Sequence, residues 1–429
     1  MKHWFSDLNE FRRDPLDFLL KKGSKATEAM ERIYVDRYPV YLITDPSLVK
    51  TMMQASEEFI DKGRFVYKLR AIVGKSSLTI SGEAHKKRRA AIHAQLARGI
   101  ANSYVPQISA LIRQQAAKYA QVSEFNAHQI TAPLALRIIC NALFGHGVLS
   151  TGDENALIHA IHLVEDDLAE GMFRLLPPAP WTWVRNKRNL NSAREIMDMV
   201  VARTRKRATA SSLLHALEQL NLTDEEMRDE LLMIILGGHH TTGTTAAWIL
   251  YYLATRPDIA EALALEAISI SDDAGEIRAD ALAKALVSRN LIREITRLYP
   301  AAWWFSREVK KETSLGGNSL QPGTSLMVSP WHMGRDPRYW DNPETLDLSR
   351  STHNKAYIPW GLGPRTCVGM GFAIMELQLI ALEFASAYRL EILSPVPALA
   401  PKPSVTLIPP EIRIKLAPKL KRAFVVAAE

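Results

Sequence analysis

Cysteine is nearly absent: the chain has two in 429 residues, Cys140 and Cys367. Two cannot form a disulfide framework, and their scarcity suits a reducing compartment, so the cytoplasm is the expected location. Long apolar runs are missing from the start of the chain. MKHWFSDLNEFRRDPLDFLLKKG is charged throughout. It offers neither an 18-residue span nor a signal-peptide core, so no membrane anchor is expected. No GxGxxG turn opens a βαβ unit, which leaves no dinucleotide site of that kind. No basic stripe carries interleaved aromatics, so nucleic acid is not expected as a partner. Internal repeats and low-complexity linkers are absent.

What is present is an ordinary globular composition, 47% hydrophobic and 23% charged, with enough apolar residues for a large core. Formal charge is +7, from 53 basic and 46 acidic residues. That mild excess fits an acidic protein partner.

Local patterns place strands at residues 32–35 and 39–43 and a short helix at 47–55. A basic amphipathic helix is predicted at 83–97, and helical pattern runs through 101–144, 154–174 and 190–208. The three prolines of LLPPAPWT separate the last two. Thr223 opens a capping box, and the helix behind it is predicted at 224–255, long enough to cross the molecule. Short strands follow at 309–328, an apolar helix at 370–387, and a last strand pair at 405–408 and 412–416. The reading is one mainly α domain over 1–429. A small β subdomain, roughly 31–56, 305–330 and 400–418, is built from both chain ends.

The strongest chemical signal is Trp360-Gly361-Leu362-Gly363-Pro364-Arg365-Thr366-Cys367-Val368-Gly369, set just before a helix. Glycines there allow tight turns and close approach to the backbone. Backbone N–H groups at the start of the helix can point at the sulfur and stabilise a thiolate. By this chain's own composition, such a set of three glycines and a cysteine arises by chance at about 2 × 10⁻⁴ over the whole chain, which makes coincidence a weak account. Cys140, inside the apolar IICNALFG, reads as plain core.

Three further constellations stand out. Glu294 and Arg297 share one face of a helix in REITRLYP, a spacing that by itself usually means a solvated ion pair. His85 and Arg89 share a face of the basic helix SGEAHKKRR. Leu236-Gly237-Gly238-His239-His240-Thr241-Thr242-Gly243 puts three glycines in the middle of the long helix, at about 1 kcal/mol each relative to alanine. Threonine hydroxyls there can bond back to carbonyls one turn earlier. The combination suggests a functional notch. Adjacent histidines raise the option of a metal, but helical metal pairs sit at i, i+4.

The cysteine loop resembles the signature of the cytochrome P450 family: an aromatic residue, glycine, glycine, a basic residue, the ligand cysteine and glycine. The order of REITRLYP, SPWHMGRDPRYWDNPETLDLSR, the loop and PSVTLIPPEIRI is similar to that family over nearly the whole chain. The resemblance implies the family's mainly α, triangular helical prism with a small β subdomain. It implies haem b held by the Cys367 thiolate, whose electron donation favours O–O cleavage. Trp360 stands where phenylalanine is usual, with its ring expected near the sulfur, and Gly369 completes the loop. His85, Arg89, Arg307 and Arg365 match haem-propionate contacts. Arg350 matches the third partner of Glu294 and Arg297. Gly237, Gly238 and Thr241 match the distal oxygen-binding motif, with His240 in place of its acid. An imidazole, unperturbed pKa about 6.5, can also relay protons.

The implied reaction inserts one oxygen atom from O₂ into a C–H bond of an apolar small molecule, terpenoid or fatty-acid-like. Electrons come from NAD(P)H through a separate ferredoxin and ferredoxin reductase. Lys86, Lys87 and Arg88 would form the basic face that meets the acidic donor. Leu236, Trp303 and Trp304 are expected to contact substrate, with residues 59–77 and 168–183 as an access lid. A monomer of soluble bacterial type is expected. The alternatives are a peroxide-driven peroxygenase, a haem-thiolate isomerase, or a non-enzymatic haem sensor.

Overall fold

The computed structural model describes residues 2–26, 28–35, 38–97, 102–172, 179–209, 212–393 and 400–419. At its centre lies the helix Asp224–Thr255, 32 residues and about 48 Å long. Its start is fixed by the capping box between Thr223 and Glu226, as the sequence predicts. It is buried along most of its length and packs most extensively against Ala127–Phe144. The cysteine helix Met370–Ala387 lies beside it. Met370–Ala387 is also the one helix among the described residues apolar and long enough to cross a membrane, and two thirds of it is buried. One large apolar cluster unites these helices; a smaller one lies under the main sheet.

That sheet has five strands in the order Met30–Ile33, Val40–Ile43, Ser325–Val328, Phe305–Val309 and Ile60–Asp61. Val40 pairs with Ser325 in parallel, and Asp61 pairs with Glu308 antiparallel. The hairpin Thr313–Leu315/Asn318–Leu320 turns through Gly316 and Gly317, φ +58° and +79°, the left-handed backbone glycine tolerates.

Several boundaries differ from the sequence reading. The helical pattern over 101–144 divides into two helices, Val105–Tyr119 and Ala127–Phe144. Asn126 and Gln129 form a capping box that starts the second, a cap signal hidden inside continuous apolar spacing. The helix predicted at 190–208 begins at Pro180, because proline is favoured at the first helical position. The last strand pair is corrected too. Leu407–Ile408 pairs with Lys402–Pro403. Arg413–Pro418 pairs with Phe125–Asn126 and Tyr388–Ile392 in a separate three-stranded sheet. The C-terminal strands therefore do not join the main sheet.

Of the expected lid, residues 173–178 lie outside the described residues. Segment 59–77 holds two short helices, Arg64–Lys68 and Arg70–Val73, and its far end is fastened down. Asp229 accepts from the N–H of Lys75 at 2.9 Å, and Glu230 from that of Ser77 at 2.9 Å.

Candidate active site: a thiol loop beside a buried basic cluster

The cysteine loop is shaped by Gly361 and Gly363, φ +70° and +67°. At Gly363 a Cβ would also stand 2.8 Å from the Met53 carbonyl, so both conformation and space demand glycine. The Cys367 N–H donates to the Trp360 carbonyl at 2.9 Å, closing the loop on itself. Cys367 keeps accessible surface, yet the surrounding protein pushes its thiol pKa up. The Gly369 N–H, donated to the sulfur, and the nearby Arg89 cation pull it back down. The Trp360 indole N–H goes to the Tyr357 hydroxyl, 3.3 Å away.

Beside the loop, side chains from four segments converge. Arg365 bonds Glu57, the Ile80 carbonyl at 3.2 Å and Ser81 Oγ at 3.2 Å. Lys62 is buried and donates to the carbonyls of Ser77 and Ile80 at 3.0 and 2.8 Å. Burial, then the Arg365 charge, lowers its pKa to about 7. Burial, Arg365 and Lys62 together lower His85 to about 4. Burial and Arg365 hold Arg307 at about 10, and burial also lowers Arg89. Glu57 and Asp61 are the carboxylates that act on this cluster. Positive charge crowded without enough anions is a cost that two propionates would relieve. His85, Arg89, Arg307 and Arg365, separate in sequence, are thus brought together. Lys62 and Glu57 were missed. No sequence pattern marks them; only the pairing of Asp61 with Glu308 in the folded sheet puts Lys62 next to Arg307.

On the central helix, Thr241 Oγ1 donates to the Gly237 carbonyl at 2.6 Å, and Thr245 Oγ1 to the Thr241 carbonyl at 2.8 Å. The three glycines have different reasons. A Cβ at Gly243 would sit 3.0 Å from the Ala132 backbone, and one at Gly238 would sit 2.7 Å from Ile139. Both let the helix Ala127–Phe144 come close. Only Gly237 faces open space. The notch is therefore one residue wide, narrower than three glycines suggested. His240 is half-buried, its ring 4.5 Å from that of His239. Leu236 is half-buried one position before the notch.

Trp303 is corrected as a substrate contact: it is 2% exposed, and its indole donates to the Ser404 carbonyl at 2.9 Å, so it fills core. Trp304 is half-buried and meets Phe65 edge-on at 5.4 Å. Arg88 is corrected as part of the basic face, since it is buried against Glu226 and Glu230. Lys86 and Lys87 remain exposed.

Glu294 and Arg297 form a two-pronged pair at 2.8 Å, both buried. Arg350 adds a bond to Glu294 at 3.1 Å. Arg297 also donates to the carbonyls of Gly334 and Thr345, at 2.7 and 2.9 Å. The pair thus clamps the segment ahead of the cysteine loop.

A family model described as cytochrome P450 matches residues 4–416. The chain is 25% identical, over 90% of its length and 86% of the relative's, to a cyclooctat-9-en-7-ol 5-monooxygenase of Streptomyces melanosporofaciens. It is 26% identical, over 73% and 74%, to a putative cytochrome P450 132 of Mycobacterium tuberculosis. The solved cytochrome P450 CYP102L1 superposes with a TM-score of 0.81 at 21% identity, covering 95% of this chain and 98% of that one. The chain belongs to the cytochrome P450 family, and the fold is that family's mainly α fold. It is accordingly a haem-thiolate monooxygenase whose cofactor is haem b, and the buried cationic cluster beside an accessible thiol fits that group.

Proposed function

We propose that Cys367 is the thiolate ligand of the haem iron and that this single-domain enzyme oxygenates a C–H bond of an apolar, terpenoid or fatty-acid-like molecule. One observation carries the reading: the thiol stands accessible in a glycine-shaped loop, beside the cationic cluster of Lys62, His85, Arg89, Arg307 and Arg365. The haem, when bound, supplies the oxygen-activating chemistry. Lys62, His85, Arg89, Arg307 and Arg365 hold its propionates by charge-assisted hydrogen bonds. Gly237 leaves room for oxygen beside the central helix. The Thr241 hydroxyl hydrogen rests on the Gly237 carbonyl; its oxygen still accepts, so it can hold an ordered water and pass protons. His240 replaces the usual acid as relay. Leu236 and Trp304 contact the substrate.

Electrons arrive from NAD(P)H through a ferredoxin and its reductase, docking at Lys86 and Lys87. The name of the Streptomyces relative, a monooxygenase of cyclooctat-9-en-7-ol, supports an apolar cyclic substrate. The protein acts as a cytoplasmic monomer. The test is the reduced carbonyl complex. It should absorb at the thiolate-type position, and Cys367→His or Cys367→Ser should move that band or lose haem. An unchanged band in either variant ends the reading.

A further inference from the structure

The chain carries tryptophan at position 360, so an N–H donor stands in the loop that shapes the cysteine. A donor to a thiolate is a charge-assisted hydrogen bond and withdraws electron density from the sulfur. Where that N–H points therefore matters. It points to Tyr357, with Nε1 3.3 Å from the phenol oxygen.

Tyr357 is itself held. Its oxygen lies 2.9 Å from Thr296 Oγ1. The single hydroxyl hydrogen of Thr296 lies on the Ile292 carbonyl, 2.8 Å away. Either hydroxyl could donate across that contact; because the Thr296 hydrogen also has the Arg293 carbonyl at 3.1 Å, both of its backbone acceptors lie in its own helix, and the Tyr357 O–H is the donor to Thr296. The bonds run one way: Trp360 N–H to Tyr357, Tyr357 O–H to Thr296, Thr296 O–H to Ile292. Every donor in this chain is used. The Arg293 guanidinium covers the Tyr357 ring at 4.8 Å, fixing the ring as well as its oxygen. Burial raises the Tyr357 pKa, so the phenol keeps the proton it donates. Thr296 and Arg293 sit on Leu286–Leu298, the helix already locked by Glu294 and Arg297. The anchor is thus rigid.

We propose that Tyr357 is a positioning residue for the Cys367 loop. It captures the Trp360 indole N–H and so keeps it off the sulfur. The sulfur is left with the backbone N–H of Gly369, and tryptophan at this position serves as an apolar ring. The inference rests on Cys367 being the iron ligand.

The experiment compares the holoprotein with Tyr357→Phe, Trp360→Phe and the double variant, reading the ferric–ferrous midpoint and the carbonyl band. Tyr357→Phe leaves the ring in place but strands the indole N–H, in a loop that the Cys367 N–H closes onto the Trp360 carbonyl, so the thiolate joins the acceptors open to it. A bond there favours the electron-richer ferrous state. The expected shift is about tenfold in the reduction equilibrium, about 59 mV upward for one electron. Trp360→Phe supplies the reference midpoint for a loop whose ring carries no N–H. The double variant should match Trp360→Phe, because no N–H remains to be misdirected. A merely structural Tyr357 would not give that reversal. A wild-type midpoint in Tyr357→Phe, or a shift that survives in the double variant, overturns the proposal. If Tyr357→Phe fails to retain haem, Tyr357→His, which keeps an acceptor for the indole N–H, is compared with Tyr357→Leu, which keeps none, and equal midpoints overturn the proposal. Absence of the thiolate-type band in the wild-type protein refutes the Cys367 reading instead, before any Tyr357 variant is made.

Discussion

Arg88 and Glu230 form a buried ion pair, Nη1 to Oε2 at 3.3 Å, joining the basic helix Gly82–Leu96 to the central helix. Arg88 also bonds Glu226 at 2.5 Å and the Lys75 carbonyl at 2.6 Å. Glu230 in turn holds the N–H of Ser77. Removing one partner leaves an uncompensated buried charge, which costs about 3–5 kcal/mol. Arg88→Leu should lower the unfolding free energy by that much, read from denaturant curves, and adding Glu230→Gln should recover part of it. A loss under about 1 kcal/mol would show that the pair is not buried in solution.

Lys86 and Lys87 on the same helix behave differently because they face water. Exposed charges act on association rate and are screened within about 8–10 Å at ordinary ionic strength. Charge reversal at either should slow reduction by ferredoxin at low salt, by part of the roughly 10–10³-fold that steering contributes. At high salt the difference should vanish. Stopped-flow reduction at two salt concentrations measures it, and equal slowing at both would exclude electrostatic docking there.

Thr241→Ala removes the hydroxyl that bonds the Gly237 carbonyl. Haem content and substrate binding should persist while electrons are lost as peroxide, with coupling reduced by about 10²-fold at most, the low end for a proton-transfer group. His240→Ala should also depress turnover and raise peroxide. His240→Asp should restore much of it. The ratio of product to NAD(P)H consumed reads both; wild-type coupling in Thr241→Ala would remove Thr241 from the chemistry.

His85 makes the haem-free protein acid-sensitive. Its folded pKa, about 4, lies below the ordinary value of 6.5, so the unfolded chain binds the extra proton first. Stability from this group is therefore full above pH 6.5 and is lost as pH falls towards 4. Apoprotein Tm should drop across that window, and His85→Gln should flatten the drop. Haem should flatten it as well, since propionates favour a cationic imidazole. An identical pH profile in His85→Gln would assign the acid sensitivity elsewhere.

The fold was legible where signals are local. The Thr223 capping box and the helix ending before Pro257 are written in adjacent residues, and the structure places that helix at Asp224–Thr255. Glu294 and Arg297 could be put on one face by spacing. Their burial could not, because the carbonyls that receive Arg297 belong to Gly334 and Thr345. The cysteine loop was legible because three glycines and a cysteine in that order restrict the backbone. Lys62 was not, because an isolated lysine in DKG carries no pattern.

The sequence alone determined the long helix, the thiol-bearing loop and the family to which they belong, since capping, helical spacing and glycine conformations act within a few residues. The tertiary structure decided what those residues do. Arg88 turns inward because Glu226 and Glu230 reach it from a helix 138 and 142 positions away. Gly238 and Gly243 are packing contacts and Gly237 an opening, because the helix Ala127–Phe144 lies against the first two only. The Trp360 N–H finds Tyr357, held by Thr296 from a helix 61 positions earlier. Direction and burial depend on which partner arrives across the fold, and local spacing carries no record of that.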